Sequence, residues 1–186
     1  MTSLLGADTG LLSPLAERLQ AIIEDLAATA TQPEIVLTSA VQALGAVAAT
    51  VLLVDPARRE LKVVGSQGYE DGVRTVWQEG LIEDHLLIAD ILRTKEAMYF
   101  ERAGALRSAS PGLESLSGAL TATASATLPM FFNGHPLGVI VLDFKESQTF
   151  TQAERRFLTI LSAQCAVALG RAEAIQSCSG SFQGWS

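Results

Sequence analysis

The sequence predicts a single α/β domain of the α+β type, in which antiparallel hairpins build a sheet and helices near the two ends of the chain cover it. Three observations point there. Two pairs of β-rich runs are each joined by a compact turn, the second through Asn133-Gly134, whose residues both accept the positive φ of a tight hairpin. Segments near both ends carry apolar residues at alternating spacings of three and four, the pattern of a helix with one buried stripe. With 186 residues and 48% of them apolar, the chain can bury one core of ordinary size but hardly two.

The first helix is expected from Leu12, Leu15, Leu19, Ile22 and Leu26, a stripe able to seat a two-helix seam. Thr31 and Glu34 have the spacing of a capping box, which opens a second helix from about Pro33 to Leu44, and Gly45 ends it. Ala48 to Val54 then reads as a strand, Asp55 to Arg59 as a turn and Glu60 to Gly65 as the returning strand. Between Gly68 and Ser117 the pattern breaks into short pieces: amphipathic Leu81 to Leu92, strand-like Ala97 to Phe100, and a loose Ala103 to Gly118. Thr121 to Phe132 and Leu137 to Phe144 form the Asn-Gly hairpin. Within it, Leu137 to Leu142 is apolar at every position, which predicts a central strand covered on both faces.

A second capping box, Thr151 to Glu154, opens the long last helix. Its main stripe is Leu158, Leu161, Cys165, Ala168, Ala172 and Ile175, with Phe157, Ile160 and Val167 beside it. Two stripes are more apolar surface than one sheet hides, so one is expected on the domain and the other on a partner chain. We place the dimer seam at Leu12, Leu15, Leu19, Leu158, Leu161, Cys165, Ala168 and Ala172, so that Leu161→Glu would yield a monomer. The domain is taken as 11–176, after an N-terminal extension of 1–10 and before a flexible tail or linker of 177–186, where Ser177-Cys178-Ser179-Gly180-Ser181 has linker composition.

Composition excludes several classes of function. A net charge of −7 without a basic cluster argues against direct nucleic-acid binding. The longest apolar stretch, Ala43 to Val54, is well short of the roughly 18 to 20 residues that span a bilayer. The N-terminus lacks a secretory pattern and the cysteines are too few for a disulfide framework, so a reducing, cytoplasmic setting is expected. Gly-rich phosphate loops, zinc and calcium spacings and nucleophile elbows are missing from the sequence, and no metal or cofactor is expected.

Ala43-Leu44-Gly45-Ala46, Asp55, Leu92-Arg93-Thr94-Lys95-Glu96, Leu128-Pro129, Asn133 to Leu142 and Phe150 to Leu158, taken in this order, resemble the GAF family over about Leu15 to Glu173. The resemblance implies an antiparallel sheet of five to six strands, terminal helices on one face, and short irregular helices roofing a ligand pocket on the other. It further implies a regulatory module in signalling proteins such as sensor histidine kinases; with the two apolar stripes, the expected partners are a second copy in a homodimer and an output domain, linked or separate.

Family members that bind cyclic nucleotides carry Asn-Lys after the fifth strand and Asp-Glu after a Phe; here Asp143-Phe144-Lys145 and Phe150 followed by Glu154-Arg155 depart from that pattern. Bilin-binding relatives use a pocket cysteine, whereas Cys165 lies on the last helix and Cys178 in the tail. The methionine-sulfoxide reductases of this fold use several cysteines near the pocket, and Gly68 to Phe132 contains none. In an open pocket, Trp77 and Tyr99 would stack on a planar ligand, Arg102 or Arg107 would meet an anionic group, and His85, flanked by Glu83, Asp84 and Asp90, would bind or switch. The bland readings stand beside these: Trp77 as core, the arginines solvated, His85 a partly exposed helix residue, His135 an ordinary turn residue. The expected function is non-catalytic small-molecule sensing, against two alternatives: a degenerate, sealed domain kept for dimerisation, and an enzyme working through Cys165 or His85.

Overall fold

A computed structural model describes residues 37–38, 41, 44–69, 79–109 and 122–180. The Leu12, Leu15 and Leu19 stripe and Trp77 lie outside the described residues. The strands are β1 (Ala48–Asp55), β2 (Glu60–Gln67), β3 (Gly80–Leu81), β4 (Met98–Phe100), β5 (Ala124–Phe132) and β6 (His135–Phe144). The helices among the named elements are α1 (Leu86–Thr94), α2 (Ala105–Ala109) and α3 (Gln152–Gly180), with a 3-10 turn at Ile82–Asp84.

The strands form one six-stranded sheet in the order β3-β2-β1-β6-β5-β4, with every pairing antiparallel. Both expected hairpins are present. In the first turn Asp55 accepts from the backbone N–H groups of Ala57 (3.0 Å) and Arg58 (3.3 Å), which fixes the chain reversal by a local side-chain bond. In the second, Asn133 (φ 50°) and Gly134 (φ 80°) take the left-handed conformations that Asn-Gly favours. Strand β6 is central, between β1 and β5, and is buried from Leu137 to Phe144.

Strand alternation sends two apolar sets to opposite faces. Ala49, Val51 and Leu53 of β1, Ala124, Ala126, Leu128 and Met130 of β5, and Ile140, Leu142 and Phe144 of β6 pack against Phe157, Leu158, Leu161, Cys165, Ala166 and Leu169 of α3. Leu37, Val41 and Leu44, helical residues ahead of Gly45, join the same face, in line with the expected second helix. On the other face, Leu52, Leu61, Phe100, Val139 and Val141 meet Leu87, Ile88 and Ile91 of α1.

The second capping box forms as read: Thr151 N–H donates to Glu154 Oε2 at 2.8 Å and Glu154 N–H to Thr151 Oγ1 at 3.3 Å. Helix α3 then continues through Gly180, four residues into the stretch expected to be a tail, because extending a formed helix costs far less than starting one. The segment expected as amphipathic Leu81 to Leu92 divides differently: Gly80–Leu81 pairs with Glu60 and Leu61, and α1 begins only at Leu86.

Helix α3 also corrects the expected seam. Leu158, Leu161 (0% exposed) and Cys165 are buried within the chain itself, so they cannot be the primary contacts of a partner. The second stripe divides: Phe157 is buried on the sheet, whereas Ile160 is 43% exposed, with exposed Ala163 and Ala174 and half-buried Val167 completing the outward side of the described part of α3. The half-buried Ala168 and Ala172 flank it. Leu161→Glu would therefore place a charge in the core and prevent folding before it could report on association.

Candidate functional site

On the face opposite α3, the period-2 alternation of the apolar strands is broken by polar residues at one end of the sheet. Asp143 of β6 lies beside Ser125 of β5 in the ladder, and the next same-face row runs from Thr127 of β5 through Val141 to Thr50 of β1. All four polar side chains are buried: Thr50 and Thr127 fully, Ser125 at 1% and Asp143 at 4% exposure. Tyr69, which follows β2, donates its phenol O–H to Asp143 Oδ2 at 2.6 Å. Gly68 makes that reach possible. Its φ is +79°, and a Cβ there would lie 2.0 Å from Val47 O, so only glycine lets the chain pass β1 so closely and deliver Tyr69 over the carboxylate.

Among the described residues this band is under-satisfied. Thr50 Oγ1, Ser125 Oγ, Thr127 Oγ1 and Asp143 Oδ1 are buried and find no hydrogen-bond partner among the described residues. Buried polar groups in folded proteins are paired almost without exception, so four orphaned oxygens on one patch of sheet require an explanation. Burial pushes the Asp143 carboxyl above its ordinary range, opposed by the Tyr69 phenol and by the nearby Ser125 hydroxyl, which is close enough to favour the charge but falls outside proper hydrogen-bond geometry. The Tyr69 phenol is driven well up, by burial first and then by the adjacent carboxylate, with the nearby Thr50 hydroxyl opposing, so it remains a donor across the physiological range.

Of the pocket candidates singled out from sequence, His85, Tyr99 and Arg102 lie away from this band. His85 is half-buried beyond β3, with Nε2 positioned so that a Cβ on Gly80 would lie 3.3 Å away. It adjoins the Glu60 end of β2, whereas Tyr69 follows the Gln67 end, a separation along the strand of roughly 23 Å at about 3.3 Å per residue. Its pKa is lowered by burial, with Asp84 opposing. Tyr99 must be corrected. Between Met98 and Phe100 it points to the α3 face, where its ring lies 5.0 Å from that of Phe150 and the Arg155 guanidinium sits 4.4 Å above it. Arg102 is solvent-exposed on the bend after β4, and Arg107 has its backbone in α2. Among the described residues no group of three His, Cys, Asp or Glu side chains is arranged to hold a metal ion, and no helix is long and apolar enough to cross a membrane.

The sequence did hold a signal for the band. In Val139-Ile140-Val141-Leu142-Asp143, Asp143 falls on the same side as Val139 and Val141, an acidic residue at an inward register position. Ser125 and Thr127 alternate likewise with Ala124, Ala126 and Leu128.

Known proteins share this architecture. A free methionine-R-sulfoxide reductase from Neisseria meningitidis, solved with its substrate, superposes with a TM-score of 0.69 at 15% identity, covering 94% of this chain and 99% of that one. The GAF domain of a phosphoenolpyruvate-protein phosphotransferase from Coxiella burnetii gives 0.69 at 17% identity, covering 89% and 98%. A phycocyanobilin-bound GAF domain from a cyanobacterial phytochrome gives 0.63 at 16%, covering 86% and 96%. None of the curated proteins matches the chain. At these identities the likeness is one of fold. The sequence pattern of the family described as GAF domain, however, matches residues 34–170, most of the chain and all six strands, and on that match the chain belongs to the GAF domain family.

Proposed function

We propose that the chain is a non-catalytic, small-molecule-sensing regulatory domain of a cytoplasmic signalling protein, which dimerises through its terminal helices and passes its signal along α3 to an output domain such as a histidine kinase. The observation that carries this reading is the buried band of Asp143, Thr50, Ser125 and Thr127, its oxygens unpartnered among the described residues, on the sheet face away from α3. A ligand supplying those hydrogen bonds turns an unfavourable patch into a favourable one, which is the differential affinity that a switch requires. The same strands carry the response. Strand β5 bears Ser125 and Thr127 on the ligand face, and its Pro129 carbonyl accepts the Ser162 hydroxyl of α3 at 2.5 Å. A small shift of β5 against β6 therefore displaces α3, and the outward stripe at Ile160, Ala163 and Val167 turns that displacement into a rearrangement of a helix pair.

Two further points support a regulatory over an enzymatic role. The stretch Gly68 to Phe132 has no cysteine, unlike the reductases of this fold. Cys165, on the side of α3 that packs against the sheet, has its thiol pushed up to about 12 by burial, the opposite of a nucleophile's environment. Native mass spectrometry of the freshly purified protein tests the reading: a dimer carrying the extra mass of a retained small molecule is expected, and a bare monomer under all conditions would overturn it.

A further inference from the structure

The chemistry of the band says what kind of ligand it takes. The atoms without a hydrogen-bond partner among the described residues are the hydroxyl oxygens Thr50 Oγ1, beside the Tyr69 phenol, Ser125 Oγ, beside Asp143, and Thr127 Oγ1, and the carboxylate oxygen Asp143 Oδ1. An ionised carboxylate accepts only, and each hydroxyl has one proton to give but two lone pairs to fill. The patch is thus rich in acceptors and poor in donors. Tyr69 already gives its one proton to Asp143 Oδ2, and Oδ1 has no donor among the described residues. No Lys, Arg or His forms an ion pair with Asp143 among the described residues.

Charge sharpens the choice. A carboxylate, phosphate or propionate placed on this patch would meet Asp143 at close range in a site shielded from water, where repulsion is least screened. A divalent metal is poorly served by a single carboxylate and hydroxyls, since such ions take six or more oxygens and favour charged ones. Geometry sets the size. Thr50 and Thr127 flank Val141 on the two neighbouring strands, so the band is about two strand spacings, or roughly 10 Å, across, the dimension of a small metabolite. Phe100 stands beside Ser125 at one edge of the band, and beyond Thr50 and Val141 the same face continues into Leu52 and Val139, which α1 covers, so apolar side chains bound the patch.

We propose that the floor of this site, on the sensory reading above, recognises a small organic cation whose ammonium, amidinium or guanidinium N–H groups donate to Asp143 Oδ1 and to the hydroxyls of Thr50, Ser125 and Thr127. The ligand supplies the donors and the charge that the described residues do not, and Tyr69 holds the carboxylate in position from its other oxygen.

The test is a binding titration of the full chain, by thermal shift and calorimetry, against matched pairs: benzamidine and benzoate, histamine and imidazole-4-carboxylate, agmatine and glutarate. At least one cation is expected to raise the melting temperature saturably while its paired anion does not. Asp143→Asn, which keeps the Tyr69 bond, is expected to weaken that cation at least 30-fold, and Ser125→Ala several-fold, with both variants melting cooperatively. If the anions bind as well as the cations, or if the cation binds Asp143→Asn equally, the charge assignment is overturned while a sensory role survives. If no cation binds but native mass spectrometry finds a neutral or anionic molecule retained, the ligand class again fails and the sensor stands. If neither panel binds and the mass is bare, both fail together.

Discussion

Replacing Asp143 with asparagine should make the ligand-free protein more stable, although it removes a charged hydrogen bond. The wild-type carboxylate is 4% exposed, has one hydrogen bond at 2.6 Å, and leaves Oδ1 unpartnered among the described residues. An unsatisfied buried group of this kind costs about 1–3 kcal/mol, and more when charged. Asparagine keeps an oxygen for the Tyr69 proton and offers an N–H₂ to the idle Ser125 and Thr127 oxygens. Against this, the Tyr69 bond loses its charge assistance, worth about 1 kcal/mol. The net is a gain of about 1–2 kcal/mol near neutrality, or about 2–8 °C in melting temperature for a domain of this length.

The gain should depend on pH in a defined direction. The folded carboxyl's pKa is raised above 3.8, so as pH climbs the unfolded chain gives up this proton first. Through that window the folded state binds more protons, and stability falls as pH rises until the folded carboxyl has ionised too. Asparagine has no such dependence. The gap between variant and parent should therefore be smallest near pH 4 and widen towards neutrality, as read by melting curves of ligand-stripped protein across that range. An Asp143→Asn protein that is less stable than the parent at neutral pH, or a gap that ignores pH, would refute the reasoning and mean that Oδ1 has a fixed donor.

Other perturbations separate the two stripes of α3 and probe the sheet. Leu161→Ala, at a fully buried site, should cost about 2–5 kcal/mol by chemical denaturation, whereas Ile160→Glu on the outward stripe should leave melting nearly unchanged and convert a dimer to a monomer on light scattering. The Cys165 thiol, pushed up to about 12 and buried, should resist iodoacetamide in the folded protein and react once denaturant opens the core; rapid labelling in buffer would show that α3 lifts from the sheet. Gly138→Ala would set a Cβ 2.0 Å from Leu52 O, where β6 runs against β1, so it should destabilise by more than about 3 kcal/mol, near the upper end for single substitutions, in equilibrium unfolding.

What the sequence made legible follows the strength of its local rules. Asn133-Gly134 and the Thr151–Glu154 box are short-range devices whose chemistry admits few alternatives, and both form as read. The all-apolar run ahead of Asp143 identified the central strand because only burial on both faces allows it. The faces of α3 were harder. Leu161 and Ile160 are neighbours of similar hydrophobicity, and which one meets the sheet depends on where the helix docks, a tertiary fact that periodicity does not contain. Tyr99 was misplaced for a related reason: in a three-residue strand, a one-residue difference in register exchanges the two faces. The polar floor was visible only as an inward-facing Asp143. Its partners Thr50, Ser125, Thr127 and Tyr69 come from three other stretches of chain, and only the sheet register brings them together.

The most direct test of the central claim is a high-resolution crystal structure of the protein as purified from cells, without added ligand, with attention to the volume above Asp143 Oδ1. The account predicts density for a small molecule whose nitrogen lies within hydrogen-bond distance of Oδ1 and of at least one of the Thr50, Ser125 and Thr127 hydroxyls. Density for protein side chains closing that volume, with Oδ1 bonded to a donor of the chain itself, would contradict it and leave the domain a sealed structural module.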